Sequence, residues 1–494
     1  MILSLSSRIL MRVNARQAVP ARPVRSGRPG NSGRPGRTSR IGRTPTTPGH
    51  GTLRRPPAPR PGLMNGCLVA AGIGLGATTA LAITGETGSE LSAAGGVATF
   101  AGNLTGLVGT YLALIMVLLV SRIPFVERVA GQDGLLRWHR RLAPWPISLL
   151  VLHAILLTAG YAQAARTGLW HQVDVLILSY PDVLSATVAL GLMCLAGVIS
   201  IRAIRRRVRR EVWWTVHLYL YLALAFSFAH VIVLGQSFAG HPLTQAVWSV
   251  VWAATAGLVL TYRVGLPVAR SARHRLRVTE VRPEGPGVVS VICQGRKLDR
   301  LPVSGGQFVF WRFLTRDLWW QAHPYSLSAL PQPPYVRLTV KGVGDHSAAL
   351  ARLEPGTRVA IEGPYGTFTR YAQQRRRVLL IAAGIGVTAV RSLLEDLPRG
   401  AKPVVILRAA RREDLVLGTE IADLAQRRGG TVYELTGGRA QATIDEHSLP
   451  HIVPDLADRD VYVCGPEAFV TGIVAVAKVL GVPDEAIHHE AFAI

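Results

Sequence analysis

The chain has 494 residues, 49% of them hydrophobic, and a formal net charge of +25. This length is enough for two or three domains. Its four cysteines include no C-x-x-C pair, which excludes both a disulfide framework and a four-cysteine iron–sulfur cluster.

The first 61 residues predict a disordered basic tail. Residues 1–60 contain thirteen arginines and no acidic residue, and they are rich in Pro, Gly and Ser with few apolar side chains to form a core. A solvated cytoplasmic tail attracted to anionic lipid is favoured over a targeting peptide and over a nucleic-acid-binding segment. We therefore expect membrane lipid, and no nucleic acid, among the partners of this chain.

Residues 62–270 predict an all-α transmembrane bundle of six helices. Most of its six apolar stretches are close to the roughly 20 residues that span a bilayer. The stretches lie near 63–84, 96–120, 145–162, 181–201, 213–235 and 244–263. The third is the shortest, and a basic amphipathic approach from Leu135 can extend it.

The charges of the connecting loops predict the orientation of this bundle. Five arginines lie between the second and third stretches and six between the fourth and fifth, whereas the alternate connections contain only Arg166. Basic loops stay on the cytoplasmic side of a membrane. We expect a multi-pass protein of the cell membrane with both termini in the cytoplasm.

Four histidines form the most specific pattern of this half. His139 and His153 belong to the third stretch, and His217 and His230 to the fifth. Both stretches run outward, so steps of 14 and 13 residues, each about 20 Å, bring His139 level with His217 and His153 level with His230. Each level can hold a haem between two axial imidazoles. A single membrane histidine more often packs or relays protons, but four at matched depths favour two b-type haems.

The 13-residue step has a geometric consequence for the fifth helix. Residues 13 apart point about 140° away from each other on an α-helix. This helix must therefore bend, contain a bulge or present its two histidines from different sides.

The composition becomes that of a soluble protein after Arg270. Short alternating runs in residues 271–373 predict the antiparallel strands of a β-barrel. Strands and helices then alternate through residues 374–494, which predicts an α/β nucleotide-binding domain with a parallel sheet. The predicted domains are thus 1–61, 62–270, 271–373 and 374–494.

Three stretches of the predicted barrel suit a flavin nucleotide. AHPYSLSAL (322–330) places an aromatic ring and hydroxyls on a strand, where a flavin could stack and form hydrogen bonds. KGVGDHSAAL (341–350) combines a basic residue, glycines and a serine, and its backbone N–H groups could hold a pyrophosphate. EGPYGTF (362–368) is a glycine turn that either approaches the flavin or is a turn and nothing more.

Two stretches of the α/β domain suit a nicotinamide nucleotide. AAGIGVTAV (382–390) follows a strand and opens a helix, as a phosphate-binding glycine turn requires. VCGP (463–466) ends a later strand, at the edge where open α/β sheets bind ligands. Arg408 and Arg411 follow the second strand and either pair with a 2′-phosphate or form a solvated basic turn.

Together these motifs resemble those of the NADPH oxidase and ferric reductase superfamily. The resemblance rests on the four-histidine spacing and on HPYSLS, GIGVT and CGP in this order, and it extends over roughly residues 62–494. It implies a ferric reductase-like transmembrane haem domain fused to a dehydrogenase similar to ferredoxin–NADP reductase.

The resemblance also implies a role for each motif residue. His139 and His217 would bind the iron of the inner haem, and His153 and His230 that of the outer haem. The resemblance implies a flavin site that contains His323, Pro324, Tyr325, Ser326 and Phe492. In this site His323 stands where many soluble relatives carry arginine, Tyr325 would stack on the flavin, Ser326 would lie near its N5 and Phe492 would cover the ring. The FAD phosphates would be bound by Lys341, Gly342 and Ser347. The NADPH site would comprise Gly384, Gly386 and Thr388 at the phosphates, with Cys464 and Gly465 beside the nicotinamide. Ser326 and Cys464 are the catalytic candidates.

We expect an NAD(P)H-dependent oxidoreductase that passes electrons from cytoplasmic NADPH or NADH through FAD and two haems to ferric iron or oxygen outside. One alternative is a membrane-anchored cytoplasmic NAD(P)H:flavin reductase without haem. Another is a haem conduit to a partner redox protein or quinone. The intact flavin and nucleotide motifs disfavour a non-enzymatic membrane scaffold.

Overall fold

The computed structural model describes residues 61–84, 88–438 and 443–492. Apart from Pro61, the predicted basic tail lies outside these ranges. The helices are α1 (Pro61–Thr84), α2 (Gly88–Ser92), α3 (Gly96–Leu119), α4 (Pro124–Ala130), α5 (Gln132–Leu142), α6 (Pro144–Ala165), α7 (Leu169–Ser179), α8 (Val183–Ser200), α9 (Arg202–Arg205), α10 (Arg210–Leu234), α11 (Pro242–Val259), α12 (Leu266–His274), α13 (Asp345–Ala349), α14 (Val387–Asp396), α15 (Gly418–Gln426), α16 (Ser448–Ile452) and α17 (Glu467–Val479). The strands are β1 (Leu276–Gly285), β2 (Val288–Gln294), β3 (Phe308–Phe313), β4 (His323–Ser326), β5 (Tyr335–Lys341), β6 (Arg358–Tyr365), β7 (Arg377–Ala383), β8 (Val404–Ala409), β9 (Thr431–Thr436), β10 (Arg459–Pro466) and β11 (Ile487–Phe492).

Six helical segments of the described residues are long and apolar enough to cross a membrane. They are Gly62–Thr84, Gly96–Leu119, Gly134–Ala165, Val183–Ser200, Glu211–Leu234 and Pro242–His274. The third segment joins α5 to α6, so the basic approach does extend the shortest apolar stretch. The sixth segment continues through a π-helical turn (Leu260–Gly265) into α12, which ends just before β1.

Glycines on one face of α3 determine how closely α6 approaches it. Gly102, Gly106 and Gly109 recur at helical spacing and all face α6. A Cβ atom on Gly106 would lie 2.3 Å from Nδ1 of His153, and one on Gly102 would lie 2.8 Å from Leu157. Small residues of this kind let membrane helices pack with their backbones close together. The glycine face therefore positions His153 against α3.

The first soluble domain is an antiparallel sheet with the strand order β4-β3-β6-β1-β2-β5. Alternate side chains of its strands, such as Val309 and Trp311 of β3, are buried in one apolar core. The sheet differs from the predicted barrel in one respect. Its edge strands β4 and β5 do not form a ladder, and beyond β4 only an isolated bridge joins Leu327 to Leu338.

The second soluble domain contains a parallel sheet with the order β11-β10-β7-β8-β9. Helices cover the sheet on both faces, which explains why β7 and β10 consist almost entirely of buried residues. The predicted fold class, a helical membrane bundle followed by an antiparallel flavin-type domain and a parallel α/β domain, is confirmed.

Candidate functional site

The histidines expected at matched depths lie in two pairs. The ring centroids of His139 and His217 are 6.2 Å apart, and those of His153 and His230 are 6.3 Å apart. Both separations exceed direct stacking contact and leave room for one metal atom bonded to a nitrogen of each ring, at roughly 2 Å per bond as for zinc. The side chains present therefore fit axial ligation of two irons.

Hydrogen bonds orient one histidine of each pair. Nδ1 of His153 lies 2.8 Å from the carbonyl oxygen of Gly102, and Nδ1 of His139 lies 3.2 Å from that of Met116. A proton on Nδ1 leaves the lone pair of Nε2 available to a metal, which is the usual arrangement of metal-binding histidines. Within the described residues, the buried Nδ1 atoms of His217 and His230 have no hydrogen-bond partner.

No group of three or more His, Cys, Asp or Glu side chains that could hold a metal occurs in the described part of the chain. Each histidine pair is thus a two-ligand arrangement. Two protein ligands would be enough for a haem iron, because the macrocycle would supply the others.

Helix geometry explains how the unequal steps still produce two pairs. α10 is α-helical throughout, so it presents His217 and His230 from different sides. α5 and α6 meet at Ala143, whose backbone is still right-handed helical, and Pro144, which has no N–H to donate, begins α6. His139 lies in α5 and His153 in α6, on either side of this junction.

The predicted flavin motif forms β4, at the edge of the antiparallel sheet. Ser326 pairs with Phe308 of β3 and is buried, and its Oγ has no hydrogen-bond partner within the described residues. Leaving a buried hydroxyl unbonded costs about 1–3 kcal/mol, so Ser326 suits a ligand with a polar atom at this position. Gly366 has φ +102° and lies beside the Phe308 ring, where a Cβ would come within 3.3 Å.

The residues expected at the FAD phosphates lie at the end of β5 and in the loop and helix that follow it, α13. Lys341 is the exposed last residue of β5, and the N–H of Gly342 donates to the carbonyl of Gly287 at 2.8 Å. Oγ of Ser347 accepts hydrogen bonds from the N–H groups of Val343 and Gly344 at 3.0 and 3.1 Å. The serine therefore already binds two of the N–H groups of its own loop.

His346 was not singled out by the sequence analysis, yet it lies against the predicted site. Its ring centroid is 3.7 Å from that of His323, and its Nδ1 lies 3.4 Å from the hydroxyl of Tyr325. Pro324, between those two strand residues, is exposed. The only signal for His346 in the sequence is its place inside KGVGDHSAAL.

The nucleotide motifs meet at the carboxyl ends of neighbouring parallel strands. Gly384 and Gly386 form the turn from β7 to α14, and β10, which carries Cys464 and Gly465, pairs with β7. Gly384 has φ +55°, and a Cβ on Gly386 would lie 2.3 Å from the carbonyl oxygen of Cys464. Both positions therefore require glycine.

The remaining predicted residues of this domain differ in exposure. Thr388 is buried and its hydroxyl donates to Ile385 at 2.9 Å, and Phe492 ends β11 opposite Pro466 of β10. Cys464 is fully buried, and burial raises the pKa of its thiol well above the usual value, so the side chain is a neutral thiol.

The two arginines expected after the second strand have different positions and partners: Arg408 lies within β8, and Arg411 follows it. Arg408 donates to the carbonyl oxygens of Gly437 and Gly438 at 2.9 and 3.0 Å. Arg411 is exposed and forms ion pairs with Glu413 and Asp414 at 2.7 and 3.2 Å. Their role toward a 2′-phosphate stays a prediction.

Three family models match the chain in the order of these sites. They are a ferric reductase like transmembrane component at residues 105–228, an FAD-binding domain at 275–369 and an oxidoreductase NAD-binding domain at 380–475. The chain belongs to the NADPH oxidase and ferric reductase superfamily. The expected ferric reductase-like transmembrane domain, FAD-binding domain and NAD-binding domain are thereby confirmed.

Curated relatives match this ferric reductase-like chain over different shares of its length. An NADPH oxidoreductase of Mycobacterium tuberculosis is 31% identical over 35% of this chain and 48% of its own length. Ferredoxin–NADP reductase B of Sorangium cellulosum is 32% identical over 34% of this chain and 77% of its own length. Ferric/cupric reductase transmembrane component 1 of Candida albicans is 22% identical over 60% of this chain and 38% of its own length. The chain spans about half the length of several curated relatives that it matches.

Proposed function

We propose that this protein is a transmembrane oxidoreductase that takes electrons from cytoplasmic NADPH or NADH and delivers them to an acceptor on the outer side of the membrane. The observation that carries the proposal is the pairing of four histidines at two levels of the bundle, with ring separations of 6.2 and 6.3 Å. Two levels provide a path across the bilayer rather than a single site on one face.

The chain's own residues have distinct tasks in this proposal. His139 and His217 hold an inner iron and His153 and His230 an outer one, while Gly102 and Gly106 fix His153 against α3. When bound, haem supplies one-electron transfer and FAD accepts a hydride, so that a two-electron donor can serve one-electron carriers.

The soluble half positions the two nucleotides. Ser326 directs its hydroxyl to the flavin, and Tyr325 and Phe492 cover the ring. The glycine turn Gly384–Gly386 binds the phosphates of the nicotinamide nucleotide, and Cys464 and Gly465 border the nicotinamide. Arg408 and Arg411 favour NADPH if they reach its 2′-phosphate.

The basic connections between the membrane helices support a cytoplasmic location for both termini and for the nucleotide sites. A membrane potential that is negative inside then favours outward electron transfer by about 2.3 kcal/mol per 100 mV. Ferric iron and oxygen are the proposed acceptors, and the ferric/cupric reductase named among the relatives supports the first of them.

The test is the anaerobic reduced-minus-oxidised visible spectrum of the full chain in detergent, with NADPH as the sole reductant. We expect sharp low-spin b-type bands from two haems per chain. His153→Leu and His139→Leu should each remove one haem, and His171→Leu, which alters an exposed residue of α7, should keep both. Flavin bleaching without haem bands would contradict the transmembrane path and leave a membrane-anchored flavin reductase.

A further inference from the structure

Helix α14 of the second soluble domain is bonded along one side to the first soluble domain. The N–H groups of Gly306 and Leu330, which lie in loops of the first domain, donate to Oγ of Ser392 at 2.9 Å and to Oε2 of Glu395 at 2.8 Å. A Cβ atom on Gly305 would lie 2.1 Å from the carbonyl oxygen of Ser392. Because no side chain fits between this loop and the helix, α14 lies directly against the antiparallel domain.

Arg391, on the same side of α14, is the centre of an ion-pair network. Only 8% of the residue is exposed, and its guanidinium donates to Oε2 of Glu420 in α15 at 2.8 Å and also to Glu395. Arg337 in β5 of the first domain donates to both carboxyl oxygens of the same Glu420, at 2.8 and 2.7 Å. Two-point pairs of this kind fix direction as well as distance. Glu420 therefore connects Arg391 to the first domain.

The carboxyl group of Glu420 is ionised in this network. Burial by itself raises the pKa of Glu420, but the hydrogen bonds and charges of Arg337 and Arg391 bring it below its ordinary value. Arg391 thus lies between the carboxylates of Glu420 and Glu395. Without Arg391, Glu395 would lose the cation that keeps it in place to accept the N–H of Leu330, because an unpaired charge in a poorly solvated site is unfavourable.

The same helix begins at the proposed nucleotide turn. Gly384–Gly386 leads directly into α14, and Arg391 follows Gly386 by five residues, or about 8 Å along the helix. A short helix moves as one rigid piece. The contacts of Arg391 therefore also determine where the turn lies relative to the flavin strand β4.

We propose that Arg391 is a positioning residue for hydride transfer, which through Glu420 and Arg337 holds α14 and the turn Gly384–Gly386 at a fixed place on the FAD-binding domain. This inference rests on the proposed function, because it requires that a nicotinamide nucleotide reduces the flavin. In that step the C4–H bond of the nicotinamide breaks and an N–H bond at N5 of FAD forms, with both electrons passing to the flavin. A misplacement of about 1 Å can slow such a step by about 100-fold.

The first experiment follows the bleaching of the flavin after anaerobic rapid mixing of the full-length, FAD-loaded protein in detergent with NADPH and, in parallel, NADH. Arg391→Met should lower the rate at saturating nucleotide by about tenfold or more. The nucleotide concentration for half-saturation should change by less than about threefold, because the turn itself is intact. Arg391→Lys, which keeps the charge, should recover part of the rate. Arg427→Met, which alters an exposed arginine after α15, should match wild type.

The second experiment needs no nicotinamide nucleotide. Hydrogen exchange of the full-length protein should show the N–H groups of Gly306 and Leu330 exchanging about tenfold faster in Arg391→Met than in wild type. Exchange in the buried strands β7 and β10 should stay unchanged, because the fold of the second domain does not depend on this contact. A role of Arg391 in stability alone would instead speed exchange throughout that domain.

Different outcomes overturn the inference and the proposed function. A wild-type saturating rate in Arg391→Met, or faster exchange throughout its second domain, would refute the positioning role. If Arg391→Met fails to fold, Arg337→Met decides, because it removes the contact from the first domain while Arg391 keeps both carboxylates; an unchanged saturating rate would again refute the role. A folded, FAD-loaded wild type that neither nucleotide reduces would refute the proposed function, and with it the hydride transfer that Arg391 is proposed to serve.

Discussion

Glu127 is a buried acid at the junction between the membrane helices and the FAD-binding domain. Only 4% of it is exposed, and neither carboxyl oxygen has a hydrogen-bond partner in the described part of the chain. Burial raises the pKa of Glu127 to about 8, although Arg122 lowers it in part. The side chain is therefore mostly neutral at pH 7.

Replacing Glu127 should change how stability depends on pH. A carboxyl whose folded-state pKa is raised stabilises the fold below its unfolded pKa, and this stabilisation is lost as the pH rises through the folded value of about 8. Between pH 6 and pH 8 the loss is at most about 1.4 kcal/mol per pH unit. We expect Glu127→Gln to lose less thermal stability than wild type between pH 6 and pH 9, measured by differential scanning fluorimetry in detergent.

The matched control is Glu446→Gln, which alters an exposed glutamate. It should lose stability with pH in the same way as wild type. An equal decline in Glu127→Gln and wild type would show that Glu127 is not the group responsible.

At the scale of single residues, the sequence predicts those site residues that can be recognised from their spacing along the chain. The histidine partners follow from depth along two parallel helices, and Gly384 and Gly386 follow from the strand–turn–helix context. Glu127 and His346 could not be predicted, because burial of the first and the ring contact of the second depend on elements distant in the chain. VERVAGQ, around Glu127, reads as the surface of a polar helix.

At the scale of elements, the contact between α3 and α6 is sensitive to the addition of a single carbon atom. Gly106→Ala would place a Cβ 2.3 Å from Nδ1 of His153. The helices must separate or the ring must turn, and either change breaks the hydrogen bond from His153 to Gly102. We expect the outer haem to be lost and the inner one kept, which a haem assay should record as one haem per chain instead of two.

Gly191→Ala is the control for this change, because Gly191 of α8 has open space where a Cβ would lie. Alanine also favours a helix over glycine by about 1 kcal/mol, so this variant should keep both haems and its thermal stability. Two haems in Gly106→Ala would mean that α3 does not position His153.

For the helices and strands, the sequence predicts their number and type but not the details of their geometry and pairing. Apolar length predicts six spans, and Leu135 correctly indicates the extension of the third. The 13-residue step is compatible with a bend, a bulge or two histidines presented from different sides of the fifth helix. Only the regular backbone of α10 shows that the third of these occurs. Closure of a barrel depends on strand pairing between β4 and β5, which alternation of side chains does not determine.

At the scale of the whole molecule, Arg122 joins the membrane half to the soluble half. Its guanidinium forms an ion pair with Glu362 of β6 and lies 4.1 Å from the centroid of the Phe310 ring and 5.1 Å from that of Tyr365. Arg263 approaches the same carboxylate at 4.0 Å. The order of the domains was predictable from composition, but this junction was not, since its partners lie far apart in sequence.

Arg122→Gln should loosen the junction without unfolding either half. Loss of a partly buried charged hydrogen bond costs about 1–3 kcal/mol, and each 1.4 kcal/mol raises the open population tenfold. We expect trypsin to release the soluble half about tenfold faster, through cleavage at Arg275, the residue between α12 and β1.

The control is Arg282→Gln, because its ion pair with Glu280 at 2.9 Å is about half exposed and such pairs contribute little. Its cleavage rate should equal that of wild type. Equal rates for Arg122→Gln and wild type would mean that other contacts hold the junction.

The uninterrupted helical run from Pro242 to His274 also restricts how such a chain can lengthen or shorten. Each residue added to α12 would rotate everything beyond it by about 100° and move it by 1.5 Å. Ser271 of α12 is bonded to the backbone of Ile361 in β6, at 3.0 Å from its N–H, so rotation would break the register between helix and sheet. A single-residue insertion there would thus turn the soluble domains about the helix axis relative to the membrane helices, and only insertions close to whole turns would preserve their orientation.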